Sequence, residues 1–528
     1  MPSDRVDVSV VVAVYNTMPY LTACLNSLVE QSIGHDRMEV IAVDDGSTDG
    51  SGEELDRFAE KHPNLFTVLR QPNSGGPARP SNRALDVASG RYVYFVGADD
   101  YLGPEALERM VAAADEWGSD VLVGKMEGVN GRSIHQGLFD GNRPDLDLYD
   151  SPLKWLLSNC KLFRRDLVET HKLRFPEDMR IGSDQPFTIE ALVRAKRISV
   201  LADYTCYYAV TREDGGNITQ GEVEIYTRLE CAERLFPFIA GILEPGPRRD
   251  AILHRHTMWE LTKPLRENLL ELDEDGRKDV CARVATIVDR YVTDDVMALL
   301  PIWRRVRLRL AQRGDLERLY EAIRADAAKT AYPITLKKGR VYLGYVGFED
   351  PAAGLPDDLF EITKGLRRRL KEQVRAVEAK RVGNDVKVTV RTPFTGPDAD
   401  DPATVGLALA PRGVQERTPV EGTTLTRDPG GQGVTLTARI PLMPLIASGR
   451  GKHTLRLIVR TSAEDYDVAI PAGMTAVKGI MWHRAMPYLL TVNGDARGST
   501  AILTRRIGPR AVAGRVRRAT SKLRGGGN

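Results

Sequence analysis

The sequence predicts a chain of α/β class in three parts: a doubly wound nucleotide-binding layer, a helical linker and an antiparallel β-sandwich. Three observations point there. Strand and helix signals alternate from Val6 to about residue 125, helical periodicity takes over after about residue 225, and period-two strands parted by Gly, Pro, Asn and Asp clusters begin near residue 332. With 528 residues, 42% hydrophobic and 28% charged, the chain is globular and long enough for several domains. The expected partition is 1–225, 226–331 and 332–504, followed by a basic tail over 505–528.

The first part opens on VDVSVVVAVYN (6–16), a buried-type strand, followed by the amphipathic helix TACLNSLVEQS. MEVIAVDDGSTDG (38–50) is a second strand ending in acids, EELDRFAEKH a helix, LFTVLRQPN a third strand and SNRALDVASG a helix. RYVYFVGADD (91–100) and the helix PEALERMVAAADEW complete the series. Such alternation implies parallel strands with crossover helices on both faces. YTRLECAERLFPFIAGIL, AILHRHTMWELTKPLRENLLEL, RKDVCARVATIVDRYV and DLERLYEAIRA read as the helical linker. RVYLGYVGF, VRAVEAKRVGNDVKVTVRT, TVGLALA, GVTLTARIPL and HTLRLIVRT read as sandwich strands.

Composition removes several function classes. No GxGxxG opens the first helix and no GxxxxGK[ST] occurs, so dinucleotide oxidoreductases and P-loop NTPases lose support. No apolar run reaches the roughly 18–20 residues of a spanning helix, and the amino terminus has no basic leader before a cleavable apolar core. A cytoplasmic protein is expected, one that could lie peripherally on the inner membrane face. Cys24, Cys160, Cys206, Cys231 and Cys281 are scattered without CxxC spacing and read as reduced core thiols. The formal charge is +2, yet 505–528 alone holds eight basic side chains and no acid, so the rest of the chain is mildly acidic. In that tail Val512, Val516, Ala519 and Leu523 recur at helical spacing, suiting an anionic lipid surface or a polyanionic polymer. Nucleic acid is disfavoured, because no aromatic platforms accompany the charges.

The chemistry gathers in the first 215 residues. Asp99 and Asp100 stop a strand abruptly, and ligands of open α/β sheets bind beyond the carboxyl ends of strands, where carboxylates suit a hard divalent cation. Tyr15 at the exit of the first strand offers a face for a base, and Asp44 at the exit of the second can accept an imide N–H. Asp44 and Asp45 could instead cap the next helix.

Ala13-Val14-Tyr15-Asn16, Val43-Asp44-Asp45-Gly46-Ser47, Ala98-Asp99-Asp100 and Gly182-Ser183-Asp184-Gln185-Pro186-Phe187 together resemble the family 2 glycosyltransferases of the GT-A fold over roughly residues 6–215. The resemblance implies donor binding by Ala13, Tyr15, Asp44, Asn73, Arg79, Asp99 and Arg212, metal binding (Mg²⁺ or Mn²⁺) by Asp99, and catalysis by Asp184 as the base of an inverting transfer. Asp178, in a Glu-Asp pair, is the rival base, but Asp184 alone precedes the spaced Phe and an apolar helix expected to begin near Phe187. The family usually shows Asp-x-Asp-Asp where this chain has Gly97-Ala98-Asp99-Asp100, so the first carboxylate is missing. NSGGPARPSN (73–82) is similar to the GGPxxPRN stretch of wall teichoic acid glycosyltransferases, with Ser81 in place of the arginine and Arg79 or Arg83 available to replace its charge. TCYYAVTREDGGNIT (205–219) resembles the segment that closes over the donor, with Gly215 and Gly216 as hinges.

The overall plan is similar to the wall teichoic acid β-GlcNAc transferases, whose immunoglobulin-like domains mediate oligomerisation, so a homo-oligomer through the β-sandwich is implied. His254 and His256 read as structural. The expected function is transfer of a sugar from a nucleotide-diphospho-sugar, expected to be UDP-linked, to a hydroxyl of an envelope glycan, a polyol-phosphate polymer or a lipid-linked acceptor. The alternative is a carbohydrate-binding scaffold that keeps the fold without turnover.

Overall fold

The computed structural model describes residues 6–216, 224–363, 366–414, 416–431, 433–471, 477–494 and 499–507. The basic tail from 508 onward and residues 217–219 of the closing segment lie outside the described residues. By internal contacts the chain divides into two units after Leu316.

In the first unit, β1 (Val8–Val14), α1 (Tyr20–Val29), β2 (Met38–Asp44), α2 (Ser51–Lys61), β3 (Phe66–Arg70), α3 (Ala78–Leu85) and β4 (Tyr92–Gly97) alternate as the sequence implies. These are followed by β5 (Tyr101–Leu102), α4 (Ala106–Trp117), β6 (Val121–Val129), β7 (Leu162–Arg164), α5 (Arg165–Thr170), α6 (Asp184–Arg194) and β8 (Ile198–Val210). The sheet order is β3-β2-β1-β4-β7-β6-β8-β5. β1 to β4 are mutually parallel, but β7 joins β4 and β6 antiparallel and β5 pairs antiparallel with β8, so the sheet is mixed. The short β7 and β5 carry no period-two signal long enough to be read in the sequence.

β1 and β4 are buried nearly throughout, as strands covered on both faces must be. α1 buries Leu21, Cys24, Leu25 and Leu28 at helical spacing. Gly118, at φ 66°, ends α4 in the left-handed region that favours glycine. Under the site, Phe187 of α6 stacks on Phe175 at 4.3 Å and meets Phe95 of β4 and Phe163 of β7 edge-on at 5.4 and 5.2 Å. This aromatic cluster fixes the start of α6 relative to the end of β4.

The helical part comprises α7 (Ile225–Ile242), α8 (Pro247–His256), a π-helical turn over Thr257–Leu261, α9 (Glu274–Tyr291), α10 (Asp294–Leu299) and α11 (Ile302–Gln312). Next come α12 (Leu316–Ala327), β9 (Ile334–Lys337), β10 (Arg340–Leu343), α13 (Leu366–Gln373), β11 (Arg375–Val382), β12 (Asp385–Thr392) and β13 (Phe394–Thr395). The chain continues as β14 (Val405–Pro411), β15 (Thr418–Pro419), β16 (Thr424–Arg427), β17 (Val434–Pro441), α14 (Leu442–Ala447), β18 (Lys452–Arg460), β19 (Asp465–Ala469), β20 (Val477–His483), β21 (Met486–Gly494) and β22 (Thr500–Arg506). β11-β12-β17-β16 and β15-β14-β18-β22-β21-β20 are antiparallel sheets. β12, β17 and β18 alternate buried and partly exposed residues, the pattern of a sheet with one covered face. Among the described residues, no helix is long and apolar enough to cross a membrane.

Candidate functional site

The site forms where β1, β2 and β4 end side by side. Val14 pairs with Asp44 and Ala13 with both Val43 and Gly97, so the exits bearing Tyr15, Asp44 and Asp99 open on one edge. Tyr15 is 48% exposed, an aromatic ring left in solvent at the strand exit. Asn16 turns the chain there at φ 47°, accepting from the Thr48 amide at 2.8 Å while its own amide donates to Ser47 Oγ at 3.2 Å. These bonds tie the exit of β1 to the loop after β2.

Asp44 and Asp45 do separate work. Buried Asp44 accepts the Ser47 amide at 2.9 Å. Asp45 accepts from Gln71 Nε2 at 2.6 Å and from the Ser74 amide and hydroxyl at 3.1 and 2.9 Å, and so orders the Gly-Gly-Pro loop. Neither caps α2: its N-cap is Gly50, and Asp49 accepts the Ser51 amide at 3.0 Å.

Asn73, on that loop, accepts the Gly75 amide at 2.7 Å. Gly76 faces the Arg180 carbonyl, where an added Cβ would lie 3.7 Å away, so the loop reaches the segment leading to Asp184. Arg79 is 64% exposed and 4.0 Å from Glu177, whereas Arg83 donates to the Arg70 carbonyl at 2.5 Å. Of the two, Arg79 has the less engaged guanidinium. Ser81 is buried inside α3 and so supplies no group at the loop surface. Asn82 clamps Phe175 through both backbone groups at 2.8 Å.

Beyond β4, Asp100 accepts the Tyr207 hydroxyl and the Val210 amide, the latter at 2.7 Å, and the Gly97 amide donates to the same hydroxyl at 3.1 Å. Burial first, then the neighbouring Asp99, pushes the Asp100 carboxyl up to about 6, with Arg132 among the groups opposing the shift. A Cβ on Gly97 would stand 2.7 Å from Asp100 Oδ2, 3.2 Å from Asp99 Oδ1 and 3.3 Å from the Tyr207 hydroxyl. The absent first carboxylate is therefore a packing feature, since the Tyr207–Asp100 pair occupies its space.

Asp100 is engaged in the fold, and Asp99, to which the family resemblance assigns the cation, stands next to it in the same turn. Among the described residues no cluster of three or more acidic, His or Cys side chains could hold a metal. One carboxylate with diphosphate oxygens and water fits the way Mg²⁺ is commonly bound, so the residues present fit a cation carried by the substrate better than a preformed cage.

Arg212 pairs with Asp214 at 2.7 Å, donates to the Asn16 carbonyl at 3.2 Å, lies over the Tyr20 ring at 5.3 Å and feels the charge of Asp99. Gly216 lets it do so: a Cβ there would be 2.6 Å from the guanidinium carbon. Gly215, at φ 71°, is the glycine with open space around it.

Asp184 begins α6 itself, three residues before the expected start at Phe187, and no side chain caps that helix. Burial raises its carboxyl above the ordinary range, with Arg255 and Lys161 opposing. The buried Cys160 feels the charge of Asp100 and, less strongly, of Asp184, and the buried Lys161 that of Asp184. The rival Asp178 is 56% exposed and paired with Arg234, poorly placed to become a strong base. His256 is buried and His254 packs edge-on against Trp155 at 5.5 Å, both as structural groups. Sequence reading missed Asn82, Lys161, Tyr207 and Arg255, which act through tertiary contacts. The glycine standing where an acid was expected was the available hint of a group such as Tyr207.

Known families match this arrangement. Residues 9–172 match the model of glycosyl transferase family 2, and residues 232–323 that of the glycosyl transferase TarS linker domain. The chain is 42% identical over 206 residues to a poly(ribitol-phosphate) beta-glucosyltransferase of Bacillus spizizenii, an alignment spanning 39% of this chain and 32% of that relative. It thus spans about a third of that protein's length. The crystal structure of Staphylococcus aureus TarS 1-349 in complex with UDP-GlcNAc is similar at 31% identity and TM-score 0.57, covering 65% of this chain and 98% of that one. The S. aureus TarS crystal structure matches 96% of this chain and 86% of its own at TM-score 0.60 and 24% identity, a likeness of fold.

Proposed function

Because the chain belongs to glycosyl transferase family 2, we propose that it is an inverting glycosyltransferase that moves a hexose from a UDP-sugar to a hydroxyl of a polyol-phosphate polymer of the cell envelope. The observation that carries this reading is the convergence of Tyr15, Asp44 and Asp99 on one sheet edge, with the Asp45-ordered loop leading from there to the segment before Asp184. Relatives named for poly(ribitol-phosphate) and for a UDP-GlcNAc complex support the acceptor and donor classes.

In this reading the uracil ring stacks on Tyr15 and its imide N–H meets Asp44. Asn73 and the Gly-Gly-Pro loop approach the diphosphate closely, and Arg79 and Arg212 offset its charge. Asp184 takes the proton from the acceptor hydroxyl as the oxygen attacks the anomeric carbon in line, breaking the bond to the diphosphate. A single carboxylate suffices for inversion, so no second nucleophile is needed. Mg²⁺ or Mn²⁺ held by Asp99 would neutralise charge on the departing diphosphate. A peripheral place at the inner membrane face goes with this acceptor, where the run 505–528 would meet anionic lipid or polymer.

The test is sugar incorporation into purified polyol-phosphate polymer from UDP-glucose and UDP-GlcNAc, with Mg²⁺ or Mn²⁺. Labelled polymer and released UDP support the proposal. Donor binding without UDP release from either donor would favour the non-catalytic scaffold. Gly97, the departure from the acidic pattern of the family, has its own packing reason.

A further inference from the structure

The start of α6 is held from behind by the helical segment. Gly182, at φ 67°, lies where a Cβ would stand 2.9 Å from Gln185 Nε2 and 3.2 Å from the Cys231 sulfur of α7. Arg255, near the end of α8, donates to Gln185 Oε1 at 2.7 Å and reaches Glu260 Oε1 at 3.4 Å and His256 Nδ1 at 3.2 Å. Arg255 and Glu260 are 14% and 8% exposed, and Arg228 of α7 approaches Glu260 from the other side at 3.5 Å. Lys161, from the segment before β7, is completely buried and donates to the Ser158 carbonyl.

Buried charges are costly unless answered by opposite charge. Glu260 answers Arg228 and Arg255 as ion pairs, while Lys161, whose ammonium is disfavoured by burial, is supported by Cys160 and then by the charge of Asp184. A fully buried lysine, together with a largely buried arginine that grips the residue after Asp184, is an arrangement that packing alone does not require. An apolar side chain at Lys161 would fill the space at lower cost.

We infer that Lys161 and Arg255 are positioning residues of the transfer, holding the Asp184 carboxylate ionised and aimed within a site dry enough to make it a strong base. This inference rests on the reading of Asp184 as the proton acceptor. Burial lifts the Asp184 carboxyl, Arg255 and Lys161 draw it back, and Glu260 pushes it up. The neighbouring thiols of Cys160 and Cys231 are pushed up to about 12 by burial and stay neutral. A base gains strength as its pKa rises toward the working pH, provided it is ionised when the acceptor arrives. Burial supplies the first condition and the two cations the second. Since Arg255 and Glu260 belong to the segment matched by the linker-domain model, that segment supplies part of the apparatus of the α/β layer.

The experiment is the pH profile of kcat/KM for the full chain and for Lys161→Met, Arg255→Gln, Arg255→Lys and Glu260→Gln. Loss of a nearby opposite charge moves a carboxyl by about one unit or more. Lys161→Met and Arg255→Gln should therefore shift the acid limb upward, with about a tenfold loss below it that recovers at higher pH. Glu260→Gln should shift the limb downward, and Arg255→Lys should leave it near its original place. Parallel profiles, lowered equally at every pH, would overturn the inference in favour of a merely structural role.

A second readout needs no turnover. A carboxyl raised by folding contributes stability that is present at low pH and lost as pH rises through its folded value. The Tm difference between the chain and Asp184→Asn, followed from acid to neutral pH, thus ends at the folded pKa of Asp184. That end point should rise in Lys161→Met and fall in Glu260→Gln, and coincident end points would also overturn the inference. Should the unmodified chain transfer no sugar, the reading of function falls. The Tm curves still decide whether Lys161 and Arg255 govern Asp184.

Discussion

Gly97→Ala isolates the claim that the missing carboxylate of the β4 turn is excluded by packing. Gly97 has no positive φ, so an alanine suits its backbone, and removing a strand glycine by itself stabilises by about 0.4–1 kcal/mol through the unfolded chain. The new methyl, however, would stand 2.7 Å from Asp100 Oδ2 and 3.3 Å from the Tyr207 hydroxyl. Asp100 Oδ2 cannot swing aside cheaply, because the carboxylate is held by Tyr207 and by the Val210 amide at 2.7 Å. Overpacking of this kind costs about 1–3 kcal/mol, so the net effect runs from about zero to a loss of roughly 2.6 kcal/mol. In a body of this size that lowers the unfolding transition by up to roughly 4 °C. The assay is thermal unfolding of Gly97→Ala, Tyr207→Phe and the double variant, read on the transition that a bound UDP-sugar raises. The two substitutions should couple by about 0.5–3 kcal/mol, because they share one contact. A Gly97→Ala chain as stable as the parent or more so, with additive effects in the double variant, would refute the packing argument. The missing carboxylate would then need another explanation.

The remaining predictions concern the site directly. Asp184→Asn should lower transfer by about 10²–10⁴-fold while leaving UDP-sugar affinity nearly intact, and unchanged turnover would remove Asp184 as the base. Asp99→Ala should weaken cation-dependent donor binding measured by calorimetry with and without Mn²⁺; full activity of the parent chain in excess chelator would contradict the metal role. Asp45→Ala leaves the buried-side donors of Ser74 and Gln71 without their acceptor, at about 1–3 kcal/mol. It should raise the donor KM more than it lowers kcat, and an unchanged KM would mean that the Gly-Gly-Pro loop keeps its shape without Asp45.

Much of this protein is legible in its amino-acid sequence. Apolar runs ending in Tyr15, Asp44 and Asp99 mark strands whose exits carry polar groups, because period and termination are local properties of a chain. Alternating burial in β12, β17 and β18 follows just as directly from period two. What sequence could not decide concerns groups meeting across long stretches of chain. Gly97 reads as a defect until Tyr207, 110 residues on, fills its space and ties down Asp100. The adjacent acids of each pair look alike in the sequence, yet Asp45 turns to the loop at Ser74 and Asp100 to β8. Asp184 stands out by its place before an apolar helix, but Lys161 and Arg255 carry no local signature. Local chemistry therefore named the strand exits and the acids, whereas tertiary packing tied Asp45 to the loop and Asp100 to β8 and surrounded Asp184 with buried charge.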